Sequence, residues 1–332
     1  MRFPDGIAAQ PQTLHASAVA VAPQIAQLTV PGPDEVIGLL GIGGNWHGAI
    51  GAANAWRARG LRAVALSAGE LVHSPFRVAD TYVVLSESGR SNETLQVLAR
   101  LGDARTVAIT NDEQSPVAKA CTERITLGSG PDSAVYTTGY TATLQALGLL
   151  GLAWSGAGAD LAATWDDVPA LVTGLLDRSQ WLDEAAQALD AAPTVDVVGS
   201  GVSMASSGEG ALLLRESARL RTAHFETQNY LHGPMEALDP DMACVVVGSG
   251  REDQLARDIA SLGCATVHIA ANAVLPGRQR SWAVPLPVCE DPLVAALLEI
   301  VTIQQLGWAV ADRRGLAVDG FRHPQADTKV AS

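Results

Sequence analysis

The run Ser86-Glu87-Ser88-Gly89-Arg90-Ser91-Asn92-Glu93-Thr94 gathers three serines and a glycine between an apolar stretch, Thr81–Leu85, and a helical pattern, Thr94–Leu101. A turn from strand to helix leaves backbone N–H groups free at the helix start, where the helix dipole favours an anion. Hydroxyls of Ser86, Ser88 and Ser91 add donors, and Gly89 lets the backbone curl closely around a ligand. That chemistry is a phosphate cradle needing no lysine. The same residues also suit a helix cap, with Ser91 as N-cap and Thr94 in the first turn. Capping does not account for Ser86 and Ser88 at the carboxyl end of a strand, where open α/β sheets bind ligands. A second turn, Gly41-Ile42-Gly43-Gly44, is an incomplete dinucleotide fingerprint: Trp46 stands where a third glycine belongs, and the second strand ends in Leu66-Ser67-Ala68 with no acidic residue. A nucleotide-dependent enzyme is therefore disfavoured.

The elements that must position these turns are short apolar runs alternating with helical patterns. Val36–Leu40, Leu61–Leu66, Thr81–Leu85, Thr106–Thr110 and Arg124–Leu127 read as buried parallel strands, with helices over Gly48–Arg59 and Ser91–Leu101. The rhythm resumes with Val195–Val198, Met242–Gly248, Ala265–Ala270 and Trp282–Leu286. Leu39-Leu40-Gly41-Ile42-Gly43-Gly44 and Val197-Val198-Gly199-Ser200-Gly201-Val202 each precede a helix, which points to an internal duplication. The expectation is an α/β chain with two doubly wound, mainly parallel five-stranded sheets flanked by helices. The organisation reads as an N-terminal segment 1–24, a first domain 25–155, a partly helical connector 156–185, a second domain 186–314 and an irregular C-terminal tail 315–332.

Bulk properties narrow the function. The chain has 332 residues, 48% hydrophobic and 17% charged, enough for about two domains with sizeable cores. Its net charge of −13 argues against binding nucleic acid through a basic face. The four cysteines, Cys121, Cys244, Cys264 and Cys289, form no CxxC pair and read as small buried hydrophobes in a reducing compartment. The seven histidines lack metal-ligand spacing. No cofactor, metal, secretory leader or membrane span is expected, and a cytoplasmic location follows.

With these residues assembled, the chain resembles the sugar isomerase (SIS) superfamily, closest to the isomerase half of glucosamine-6-phosphate synthase and to stand-alone amino-sugar-phosphate deaminases. The family's phosphate loop, SxSGxSxxT, is matched by Ser86, Ser88, Gly89, Ser91 and Thr94. Glu209-Gly210-Ala211-Leu212-Leu213-Leu214-Arg215-Glu216 resembles EGALKLKE, and Leu231-His232-Gly233-Pro234 resembles KHGP. The tail Pro324–Val330 keeps only the Pro-to-Lys spacing of the family's ending. The segment Gly130–Thr138 is similar to AGxEIGVAST, which lines the sugar in relatives.

The resemblance implies two tandem SIS domains and a homodimer with its active site at the subunit interface. It implies Glu216 as the base that moves a proton between C1 and C2, His232 as the group that helps open the sugar ring, and Lys329 as an amine able to form an imine with a ketose. It places Gly43, Gly44, Asn45, Ser86, Glu87, Ser88, Ser91, Asp132, Val135, Thr137 and Thr138 around the phosphosugar. Independently, an apolar helical run before Glu216 suits a partly buried carboxylate with a raised pKa. Two family lysines are replaced, by Leu213 and Gly139. The expected activity is phosphosugar aldose–ketose isomerisation or amino-sugar-6-phosphate deamination through a C1–C2 enediol or enolamine, without a glutaminase domain. The alternatives are a non-catalytic sugar-phosphate-binding regulator and a fructosamine-6-phosphate deglycase.

Overall fold

A computed structural model of the chain describes residues 1–74, 77–157, 163, 165–277 and 279–331. Residues 158–162 and 164 of the expected connector lie outside the described residues. Five apolar runs become β1 (Val36–Gly41), β2 (Arg62–Ser67), β3 (Thr81–Leu85), β4 (Arg105–Thr110) and β5 (Glu123–Thr126), all parallel, in the order β2-β1-β3-β4-β5. Five more, β6 (Val195–Gly199), β7 (Thr222–Glu226), β8 (Ala243–Val247), β9 (Ala265–Ala271) and β10 (Ser281–Leu286), form a second parallel sheet in the order β10-β9-β8-β6-β7. Read from the other edge, the second order repeats the first. The duplication legible in the glycine turns therefore extends to the topology. β7 was not expected from the sequence: Thr-Ala-His-Phe-Glu at a sheet edge is mostly polar and half-buried, so it lacks the apolar run that marks the inner strands.

Helices fill both faces. α1 (Phe3–Ile25) packs on α6 (Thr138–Ser155), so the segment expected only as an N-terminal extension is a full helix against the core. α2 (Gly44–Ala58) follows β1, and α4 (Asn92–Leu98) follows β3, with α3 (Ala68–His73) and α5 (Pro116–Ala120) between other strands. The connector carries α7 (Val168–Leu176) and α8 (Leu182–Ala191). In the second half, α9 (Met204–Ala218) follows β6, α10 (Thr227–Leu231) follows β7, α11 (Arg251–Ser261) follows β8, and α12 (Pro292–Arg313) closes the fold. α12 is long and apolar enough to cross a membrane, with a mean hydropathy of 1.6 over 18 residues, but 83% of that stretch is buried inside the protein. It is the central core helix, packed on α9, α6 and α8. The sequence shows no unbroken apolar run here because Glu299, Gln304 and Gln305 interrupt it; Glu299 is buried and accepts hydrogen bonds from Ser203 and Ser206.

The two halves meet through small residues. A Cβ on Gly51 of α2 would stand 2.6 Å from the Ala205 Cβ and 2.7 Å from the Val202 carbonyl oxygen. α2 and α9 can therefore approach almost backbone to backbone. Gly44 and Gly51 lie two turns apart on α2 with Glu209 and Ala205 of α9 against them, and Gly208 of α9 sits against the His47 ring. This contact fixes α9 over the glycine turn of the first half.

Candidate active site

In a sheet of order 2-1-3-4-5 the connections leave β1 and β3 in opposite directions, which opens a crevice beyond their carboxyl ends. The Gly41–Gly44 turn follows β1 and the Ser86–Ser91 turn follows β3, so both border that crevice. The first turn demands glycine. Gly43 has φ 59°, and a Cβ on Gly41 would lie 2.6 Å from the Asn45 backbone. Gly89 in the second turn has φ 63° and sits against the Ser115 hydroxyl. The crevice holds a cavity of about 300 Å³. Gly43, Gly44 and Asn45 line it from the first turn, Ser91 and Glu93 from the second, and Glu209, Leu212 and Glu216 from α9. Tyr136, Phe321 and Lys329 complete it.

α9 presents its acids by periodicity. Residues 209, 212 and 216 are spaced by three and four, so they share one helical face. That face is set down on the Gly44 turn, where a Cβ would stand 2.3 Å from a Glu209 carboxylate oxygen. Glu209 is buried, and its Oε2 has no hydrogen-bond partner among the described residues. Burial, then the charges of Glu216 and Asp132, push its pKa well above the ordinary carboxylate range, which favours the protonated form. Glu216 is raised to about 7 by burial, against the charge of Lys329, which draws it down. One helix face thus carries a buried carboxyl whose pKa is pushed up and, two turns on, a carboxyl that exchanges its proton near neutrality.

The C-terminal tail is strapped to the serine turn. The Val330 N–H donates to the Arg90 carbonyl at 3.0 Å, and the Asn92 N–H donates to the Thr328 carbonyl at 3.1 Å. Between these bonds Ser91 and Lys329 form an antiparallel bridge. In such a pair the side chains of facing residues lie close together on one side. The Asn92 side-chain amide adds a bond to the Asp327 carbonyl at 2.9 Å. The tail, aperiodic in sequence, is therefore an ordered edge that carries Lys329 into the cavity. Ser91 occupies the N-cap position of α4 but makes no cap hydrogen bond; its hydroxyl pairs instead with the Ser86 hydroxyl at 3.0 Å. One of the helix-start N–H groups expected to face an anion, that of Asn92, is taken by the tail.

This arrangement makes a signed prediction. Because the Lys329 charge lowers the Glu216 pKa, Lys329→Met should raise it above 7. A carboxyl-carbon NMR titration of Glu216, with no substrate present, should record the move to higher pH. An unchanged or lowered value would mean that the lysine does not face the carboxylate in solution.

The other expected site residues sit behind the cavity wall. Ser86 is buried beneath Ser91, and Ser88 is half-buried one residue before Gly89. Asp132 caps α6: it accepts from the N–H of Ser133 at 2.7 Å, of Gly139 at 2.8 Å and of Thr137 at 3.0 Å, and from the Thr137 hydroxyl at 2.5 Å. Val135, Thr137 and Thr138 are buried beside it, with the Thr137 hydroxyl turned towards Gly6 of α1. Glu87 lies against Gly139, where a Cβ would be 2.6 Å from the Glu87 Cγ and 3.0 Å from Asp132 Oδ2. A lysine at position 139 would have to displace both acids. Burial, then the charge of Asp132, raises Glu87 to about 7, so a proton on Glu87 offsets the missing cation. Leu213 faces Gly307 of α12 in the core, one position away from the cavity-lining Leu212. His232 is exposed at the C-cap of α10, outside the cavity wall. Sequence reasoning passed over Glu209, Glu93, Tyr136 and Phe321. Glu209 was within reach of it, seven residues before Glu216 and hence on the same face. Among the described residues no group of three or more His, Cys, Asp or Glu could hold a metal ion.

No family model matches the chain. It is 28% identical over 271 residues to the isomerizing glutamine–fructose-6-phosphate aminotransferase of Gloeobacter violaceus, covering 75% of this chain and 44% of that protein. It is 24% identical over 303 residues to the corresponding protein of Aquifex aeolicus, covering 86% of this chain and 50% of the relative. The chain thus spans about half the length of the curated relatives it matches. Among solved structures, the C-terminal domain of glucosamine-fructose-6-phosphate aminotransferase from Francisella tularensis superposes with a TM-score of 0.85 at 18% identity, over 96% of this chain and 97% of that one. The glucosamine-6-phosphate deaminase of Thermotoga maritima superposes with a TM-score of 0.79 at 19% identity, over 100% of both chains.

Proposed function

We infer that this chain, which resembles the sugar isomerase superfamily in sequence and in fold, binds a phosphorylated sugar and moves a proton between its C1 and C2. The observation that carries the reading is the cavity in which Glu216, with a pKa of about 7, faces the amine-bearing Lys329 beside the serine turn. A base poised near the working pH can remove a carbon-bound proton and return it to the neighbouring carbon. The developing enediolate needs positive charge or a hydrogen-bond donor close by. Lys329 supplies the first, and the Glu209 carboxyl, whose burial favours its protonated form, supplies the second. Lys329 can also add to a ketose carbonyl as an imine, with water leaving and the base taking the next proton. In this reading the phosphate lies at the serine turn against the Ser91 hydroxyl. His232, exposed on its short helix, opens the sugar ring in the cavity of a second copy in a homodimer.

The reading covers aldose–ketose isomerisation and amino-sugar-phosphate deamination, because both pass through the same C1–C2 intermediate. A panel of hexose and hexosamine 6-phosphates in deuterated water tests it, with ammonia followed alongside. Deuterium entering C1 or C2 of any member supports the proton shuttle, and ammonia release marks a deaminase. Binding of sugar phosphates with no exchange across the panel would count against catalysis. The phosphate assignment has its own test. Ser91→Ala should weaken a sugar 6-phosphate by about 10–150-fold, the worth of one hydrogen bond to a charged group, while leaving the unphosphorylated sugar unaffected. Equal losses for both, measured by calorimetry, would remove the phosphate from that turn.

A further inference from the structure

A second groove of about 350 Å³ opens beside the cavity and shares Glu216 and Phe321 with it. The rest of its wall includes Arg215, Arg219, Arg322 and His323. In a chain of net charge −13, this concentration of positive charge is out of character. Among the described residues, none of the three guanidiniums makes a salt bridge with a carboxylate. Arg215 is held in place, since its Nε donates to the Thr222 carbonyl at 2.8 Å and its Nη2 to the same oxygen. Arg219 ends α9 in the left-handed conformation, with φ 55° and ψ 33°. Its N–H bonds Arg215 and the Leu220 N–H bonds Leu214, the closing pattern that glycine normally serves. An arginine there carries a backbone cost that glycine would avoid. Helix termination does not explain the choice of side chain; a need for its charge in the groove does.

We propose that Arg215, Arg219 and Arg322 form a subsite for a second anionic group, a carboxylate or a phosphate, borne by the substrate beyond C1. This rests on the phosphosugar reading. The serine turn takes the 6-phosphate at one end of the cavity, Glu216 works on C1–C2, and the groove continues past Glu216. A substituent on C1 therefore leads into the arginines. Planar guanidiniums suit the paired oxygens of such an anion.

The test measures binding calorimetrically at low ionic strength. The ligands are fructose 6-phosphate, its 1-deoxy-1-glycine adduct with a free carboxylate, the neutral glycinamide adduct, and fructose 1,6-bisphosphate. The glycine adduct or the bisphosphate is expected to bind about tenfold tighter than its neutral counterpart, as one charge-assisted contact would give. Preference for the glycine adduct names a carboxylate, and preference for the bisphosphate names a phosphate; either supports the subsite. In the doubly substituted Arg219→Gly, Arg322→Gln protein that preference should vanish while fructose 6-phosphate binds within about twofold of wild type. Arg219→Gly alone should raise the unfolding midpoint while lowering the preference, a combination that a merely structural arginine would not give. Equal binding of charged and neutral adducts, with fructose 6-phosphate still bound, would overturn the subsite and leave the phosphosugar reading standing. No binding of any ligand would overturn both. Dissociation of a dimer in the doubly substituted protein, seen by light scattering, would also overturn it, since the arginines would then pair with carboxylates of a second copy.

Discussion

Glu216→Gln is expected to lower kcat by about 10²–10⁴-fold, the usual contribution of a positioned base, with phosphosugar affinity held within a few-fold. The amide keeps the shape of the carboxyl but cannot accept the proton. In the wild-type protein the working form is the deprotonated one, so kcat/KM should rise with pH through a limb near the Glu216 pKa of about 7. The same substitution has a readout that needs no substrate. The Glu216 pKa is raised on folding from an ordinary value of 4.5, so the native state holds a proton that the unfolded chain has released. The stability contributed by that proton is fully present below pH 4.5 and is lost as pH rises through about 7. Glu216→Gln lacks this loss, so its stability relative to wild type should improve between pH 5 and pH 8. Denaturant melts across that range check the sign. A variant that kept near-native turnover would remove Glu216 as the base. One that lost turnover without the stability gain would show that the carboxyl is not buried as described.

Much of the scaffold was legible because inner strands of parallel sheets are apolar on both faces, which leaves unbroken runs such as Val195–Val198 and Thr81–Leu85. The edge strand Thr222–Glu226 was not, since one half-exposed side leaves its residues polar. The two turns bordering the crevice were legible from glycine and serine spacing. The depth of each residue was not. Asp132 and Glu87 look alike in sequence, yet one is spent on capping α6 and the other lies against Gly139 with its pKa raised to about 7. The tail was the least legible part. It is held through its own backbone, by main-chain bonds to Arg90 and Asn92 and by bonds from the Asn92 and Arg90 side chains to the Asp327 and Ala331 carbonyls, and bonds to backbone groups leave no trace in the tail's residue types.

The charge pattern of the cavity follows from that geometry. Three acids line it against a single lysine, an arrangement that would repel an anionic sugar if every carboxyl were ionised. Burial pushes Glu209 well above the ordinary carboxylate range and Glu216 to about 7, so the phosphate of the proposed substrate would meet less negative charge than the residue types suggest. In the proposed reaction the raised acids would serve binding as well as proton transfer, and both roles would depend on how tightly α9 is pressed onto the first half.

Gly51→Ala tests that pressure. The added methyl would lie 2.6 Å from the Ala205 Cβ, 2.7 Å from the Val202 carbonyl oxygen and 3.2 Å from the Ala205 nitrogen. Two of those atoms are backbone, so no side chain can swing aside and α2 must separate from α9. Overpacking of this kind costs about 1–3 kcal/mol, and that loss should appear in denaturant melts despite the better helix propensity of alanine. Separation also lifts Glu209 and Glu216 from the Gly44 turn, since both ride on α9. A displacement near 1 Å at a catalytic group costs on the order of 10²-fold in rate, so turnover should fall far more than stability accounts for. Gly174→Ala is the matched control. It lies in the exposed middle of α7 with no atom within 4 Å of the new methyl, so it should stabilise the protein by about 0.5–1 kcal/mol and leave turnover unchanged. If Gly51→Ala behaved like Gly174→Ala, the close helix contact would not be what holds the acids over the cavity.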